Sequence, residues 1–127
     1  MKPFFVVCAV LLSACSAATG PAPEREFNLR QGSRTSLDGL TVQFEDVPSD
    51  SRCPTDVQCV QAGEAAVVLT LDDEVGEPSR VTVLTTPGKN VAAYREYRLE
   101  LLRLDPAPRA GGSPAETYTA TLRVQRS

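Results

Sequence analysis

The chain has 127 residues, 13 Lys+Arg against 16 Asp+Glu, a formal net charge of −3, no His and no Trp. That length holds one domain, and interspersed charges of both signs exclude the basic stripe by which nucleic-acid binders gain affinity. Without His the chain lacks the commonest general base, the commonest metal ligand and the usual partner of a catalytic Ser or Cys. The only lysine after Lys2 is Lys89, beside a Pro87-Gly88 turn, so a Ser/Lys pair is not indicated either. The inventory reads as non-catalytic, with no cofactor and no metal, and carboxylate-dependent chemistry is the one enzymatic alternative it leaves.

At the amino terminus Lys2 precedes an apolar run, Phe4 to Leu12, and two small residues, Ser13 and Ala14. This is the secretory signal layout. The run is under half the ~20 residues that a bilayer-spanning helix needs. The four residues Leu12-Ser13-Ala14-Cys15 resemble the lipobox of bacterial lipoproteins. The resemblance implies cleavage before Cys15, diacylglycerol on its sulfur and, in many bacteria, acylation of the new amino terminus. Residues 1–14 are then the signal, 15–25 a lipidated cysteine with a flexible tether, and 26–127 the folded domain. Two or more acyl chains hold firmly, since each buried methylene contributes about 0.8 kcal/mol. Ser16 is similar to the residue that directs lipoproteins to the outer membrane, which in a Gram-negative host means facing the periplasm. The competing reading is an ordinary secretory signal cut after Ser16-Ala17-Ala18, releasing a soluble protein.

The first clear strand pattern is Leu40, Val42 and Phe44 alternating with Thr41, Gln43 and Glu45, and it ends near Val47. A connection follows, Cys53-Pro54-Thr55-Asp56-Val57-Gln58-Cys59, before a second strand that begins near Glu64. Under the lipobox resemblance Cys8 leaves with the signal and Cys15 is capped by lipid. Cys53 and Cys59 are then the thiols left to pair in an oxidising compartment. Redox or metal roles for this pair are disfavoured by the five-residue spacing and the absence of His. The run from Asp50 to Ala65, with its DSRCPxxVxC core, is similar to a motif in small uncharacterised secreted or lipid-anchored bacterial proteins. The similarity extends over about residues 26–125, supports the localisation and the β fold, and implies no activity.

Ala65, Val67, Leu69 and Leu71 alternate next, then the acidic stretch from Asp72 to Pro78 breaks the pattern and Arg80 to Thr85 reads as the returning strand. The acidic stretch reads as a solvated turn in preference to a calcium loop, because the ligand spacing of such loops is absent. Residues Val91 to Arg95 read as a short helical turn. From Tyr94 to Leu104 helical and strand periods compete; a strand from Tyr97 to Leu104 is favoured, with a bulge near Leu101-Leu102 where the alternation changes phase. The 106–114 stretch is a hairpin connection, and Tyr118, Ala120, Leu122 and Val124 mark the last strand.

These patterns predict an all-β fold, a compact antiparallel sandwich or small barrel of about six or seven strands. A lipid-anchored envelope domain that binds an envelope protein or glycan through its loops is the favoured role. The candidate surface is the 48–63 loop, with Asp50, Arg52 and Asp56 as polar contacts. For Asp50 and Arg52, ion pairs that hold the loop's shape are favoured over direct binding. A structural or stress-related envelope lipoprotein is the main alternative role.

Overall fold

A computed structural model describes residues 23–112 and 117–127; the predicted signal, Cys15 and most of the predicted tether lie outside the described residues. Eight strands form two four-stranded antiparallel sheets. They are β1 (Glu24–Arg30), β2 (Arg34–Leu37), β3 (Leu40–Asp50), β4 (Ala65–Asp72), β5 (Ser79–Leu84), β6 (Val91–Tyr94), β7 (Tyr97–Asp105) and β8 (Thr119–Arg126). One sheet runs β1-β8-β7-β6 and the other β2-β3-β4-β5. The fold is therefore an all-β sandwich, and of the two expected architectures the closed barrel is not formed. The chain changes sheet between β1 and β2 and between β5 and β6.

Period-two burial produces the layers. Leu40, Val42 and Phe44 of β3 and Val67, Leu69 and Leu71 of β4 meet Leu99 and Leu101 of β7 and Ala120, Leu122 and Val124 of β8 in one core. Their intervening neighbours Thr41, Gln43 and Thr70 stay partly exposed, as a strand with one wet face requires. The β2–β3 hairpin turns through Asp38 and Gly39, both with positive φ, the backbone that a two-residue hairpin with right-handed strand twist demands.

Three expectations change. Two further strands, β1 and β2, precede the first one that alternation marked, and β3 runs on to Asp50 instead of ending near Val47. Val91 to Tyr94 is strand β6 and not a helical turn, because Ala92 and Tyr94 face the core and pair with Leu99 and Tyr97. A left-handed Arg95 then lets the chain reverse directly into β7. The bulge falls where the phase change places it: Leu101 pairs with Leu122 but Arg103 with Thr121, so Leu102 is the extra residue and turns outward.

Strand directions give the sandwich two distinct poles. The start of β1, the end of β8 and the β2–β3, β4–β5 and β6–β7 turns lie at one pole. The β1–β2, β5–β6 and β7–β8 connections and the 51–64 loop lie at the other.

Candidate functional site

The 51–64 loop leaves β3 and returns to β4 through a narrow neck. Ser51 N–H donates to the Glu64 carbonyl at 2.9 Å, its hydroxyl donates to the same oxygen at 2.9 Å, and Glu64 N–H donates back to the hydroxyl at 3.2 Å. Gly63 makes this approach possible, since a Cβ there would sit 1.6 Å from the Ser51 carbonyl oxygen. Above the neck Cys53 and Cys59 form a disulfide with Cα atoms 5.9 Å apart. Two hydrogen bonds then lay the loop on the β7–β8 connection: Thr55 N–H donates to the Pro108 carbonyl at 3.1 Å, and the Asp56 carboxylate Oδ1 accepts from Ala110 N–H at 2.8 Å.

Arg52 is the centre of this arrangement. Its Nε and Nη2 hold both carboxylate oxygens of Asp50, at 2.9 and 2.8 Å, the paired-fork geometry in which guanidinium bonds are strongest. Nη1 donates to the Leu104 carbonyl at 2.6 Å and Nη2 also to the Pro106 carbonyl at 2.8 Å. β6 pairs with β7 only from Tyr97 to Glu100, so the far half of β7 has no strand on that side. Side chains take the missing strand's place: the Asn90 amide caps the Leu101 carbonyl at 3.0 Å, and Arg52 caps that of Leu104. Tyr118 completes the cluster by donating its hydroxyl to Asp50 Oδ2 at 3.1 Å.

The side chains of Arg52 and Asp50 keep only 15% and 12% of their exposure. The Arg52 guanidinium lowers the pKa of the Asp50 carboxyl against the opposing effect of burial, and Asp50 in turn raises that of Arg52. Burial, then the bond to Asp50, raises the Tyr118 hydroxyl. Shifted pKa values occur at functional sites and in structural ion pairs alike. Here each nitrogen of the guanidinium donates to a partner inside the fold, so the shifts belong to a clamp. Of the three polar residues singled out on this loop, all are used internally. Among the groups it leaves in water are two large apolar ones, Val57 at 44% and Val60 at 104% exposure, beside the polar Thr55, Gln58 and Gln61.

Arg52 and Leu102 border a shallow open depression of about 270 Å³, with Thr85, Asp105 and Ala107. That is slightly below the size of ordinary small-molecule sites. Its one carboxylate, Asp105, is paired with Arg103 at 2.7 Å. On the other side of Leu102 an open polar trough of about 610 Å³ lies over Glu26, Asn28 and Thr121, where Glu26 binds Arg123 at 2.7 Å and Asn28 accepts from Thr121 at 2.9 Å. Neither depression sets two free carboxylates against one another.

The acidic stretch at the other pole is a turn tied by its own side chains. Asp73 accepts from the amides of Gly76 and Val75 at 2.8 and 3.1 Å, pairs with Arg95 at 2.5 Å, and Tyr94 donates to the Glu77 carbonyl at 3.0 Å. These amides, Gly76 first, lower the Asp73 pKa. Among the described residues no group of three or more Cys, Asp or Glu is placed to hold a metal ion.

Sequence reasoning missed Tyr118, Gly63 and the two carbonyls as members of the cluster. Tyr118 reads as core by alternation, and its hydroxyl has no local signature. Gly63 offers a weak signal, a glycine at the edge of a strand pattern, where close backbone approach is common.

The disulfide's expected contribution is local and modest, about 2 kcal/mol for a loop this short. Intact mass of the oxidised mature protein should be two hydrogens below that of the reduced form. Cys53→Ser with Cys59→Ser should lower the urea midpoint accordingly while the far-UV spectrum stays that of a β protein. A change well beyond that would mean the bridge supports the sandwich itself. Comparison with known proteins finds no matching family model and no curated protein or solved structure with a significant match.

Proposed function

We propose that this chain is a lipid-anchored protein of the bacterial envelope, acylated at Cys15, whose β domain is a non-catalytic module that contacts an envelope protein or glycan. The observation that carries the interaction role is the 51–64 loop. A disulfide, a zipped neck and the Arg52 fork hold it rigid, its charged groups are consumed in that bracing, and Val57 and Val60 stand in water. A rigid loop loses little entropy on contact, the usual reason that preorganised surfaces bind well. The residue inventory supports a non-catalytic role, since the chain has no His and its shifted carboxylates serve ion pairs and turns.

Anchoring and contact are tested separately. A clickable fatty acid fed to expressing cells should label the mature protein, with the label lost in Cys15→Ala; an unlabelled mature protein removes the anchor. A photo-crosslinking residue at position 60 should give one discrete adduct in whole envelopes, abolished by Val57→Asp in a variant that still folds. Only diffuse background at that position would end the interaction reading.

A further inference from the structure

The two poles differ in more than their connections. β1 begins at Glu24, so the chain from Cys15 enters at the pole of the β2–β3, β4–β5 and β6–β7 turns. The stapled loop occupies the opposite pole. The seven residues of β1 climb roughly 20 Å between them at about 3.4 Å per residue, and the loop extends beyond. Nine peptide steps separate Cys15 from Glu24, a covalent reach of about 30 Å at full extension.

Charge is also divided. At the entry pole Asp38, Asp72, Asp73, Glu74, Glu77 and Glu96 outnumber Arg25, Arg95 and Arg126. At the loop pole Arg30, Arg34, Lys89 and Arg109 have no carboxylate partner within ion-pair distance among the described residues.

We infer that the anchored domain stands upright, its acidic pole toward the lipid headgroups and its stapled loop displayed away from the bilayer. This orientation rests on the proposed Cys15 anchor. Electrostatics alone would favour the reverse over anionic lipid, since basic groups are attracted to such a surface and acidic ones repelled. Reach decides between them. Bringing Val60 to the headgroups requires the connector, about 30 Å at full extension, to run back along the roughly 20 Å of the sandwich, a stretch that chain entropy opposes. Screening confines the headgroup field to about 8 Å at physiological ionic strength, so in the upright orientation the basic groups of the loop pole lie outside it. What remains near the surface is repulsion of the acidic pole. The interaction surface is therefore the loop pole, and its partner lies in the space beyond the headgroups, not in the bilayer.

The absence of Trp supplies the test. Val75, in the acidic turn, and Val60, in the stapled loop, are 80% and 104% exposed, so Val75→Trp and Val60→Trp each place one fluorophore at one pole without disturbing the core. The chain starting at Cys15 keeps the whole described domain and is coupled through the Cys15 thiol to a maleimide lipid. It is then placed on phosphatidylethanolamine–phosphatidylglycerol vesicles with a dansyl-headgroup acceptor lipid. Chemical coupling makes the outcome independent of whether cells acylate Cys15. Energy transfer from Val75→Trp should exceed that from Val60→Trp by about threefold or more, given the roughly 20 Å between the poles. Equal transfer, or stronger transfer from Val60→Trp, overturns the orientation.

Discussion

Arg52→Met is expected to lower the unfolding free energy by about 3 kcal/mol, the range seen when one partner of a largely buried, hydrogen-bonded ion pair is removed. The substitution roughly keeps the volume of the side chain but takes the paired fork from the Asp50 carboxylate, which retains the Tyr118 hydroxyl, and removes the Arg52 donors from the carbonyls of Leu104 and Pro106. Arg52→Lys should recover less than half of the loss, because one ammonium cannot supply the planar fork that meets Asp50 and two carbonyls at once. Urea denaturation at neutral pH measures both. The same experiment in acid gives the sign of the electrostatic part. Asp50 has a folded pKa held below its unfolded value, chiefly by Arg52, so its contribution is fully present above the ordinary aspartate range and is lost as pH falls through the folded pKa. The gap between wild type and Arg52→Met should therefore narrow below about pH 4. A gap that stayed constant into strong acid would show that packing, not the ion pair, is what Arg52 supplies.

Gly63→Ala is expected to cost about 2–3 kcal/mol, at the upper end of what added methyls do in tightly packed sites. The added carbon would lie 1.6 Å from the Ser51 carbonyl oxygen, and backbone on both sides must separate to admit it. That separation breaks the bonds from Ser51 to Glu64 and frees the loop from β3 and β4. Amide hydrogen exchange should accelerate at Ser51 and Glu64 while the β7 and β8 core stays protected. Gly32→Ala is the control with a different cause. Nothing lies within 4 Å of a Cβ there, and its φ of +85° makes the penalty one of backbone conformation alone, on the order of 1–2 kcal/mol. Loss of protection confined to the neck in Gly63→Ala, and absent in Gly32→Ala, would separate crowding from strain.

Taken alone, the sequence determined those features whose signals are local. Alternation over two-residue steps placed β3, β4 and β8, because facing the core or the solvent is decided residue by residue along a strand, and the acidic break after β4 placed β5 as its return. A phase change within Tyr97 to Leu104 located the bulge at Leu102 for the same reason. The lipobox resemblance reduced the thiol count to Cys53 and Cys59, and the disulfide joins those two. Tertiary structure decided whatever depends on a neighbour distant in the chain. β1 has weak alternation and is a strand because β8 pairs with it from Glu24 to Arg30. Val91 to Tyr94 is extended because β7 pairs with it and the core receives Ala92 and Tyr94, which outweighs local helical spacing.

The site shows the same division. That Asp50 and Arg52 pair with each other is legible from a spacing of two residues in a loop. That Arg52 reaches the carbonyls of Leu104 and Pro106, 52 and 54 residues on, is not, since every residue carries a carbonyl and none announces that its strand partner will be missing. The short β6 leaves that edge of β7 open, and only the folded sheet shows that Arg52 is what closes it. The sequence by itself thus predicted the stapled loop and an all-β fold, sandwich or small barrel, and proposed Cys15 as the anchor. The fold alone decided that Asp50 and Arg52 are tied into the fold, that Val57 and Val60 face out, and that the stapled loop and the start of β1 lie at opposite poles. Local pattern sets which face a residue takes, whereas partners across a sheet and between poles exist only once distant strands have met.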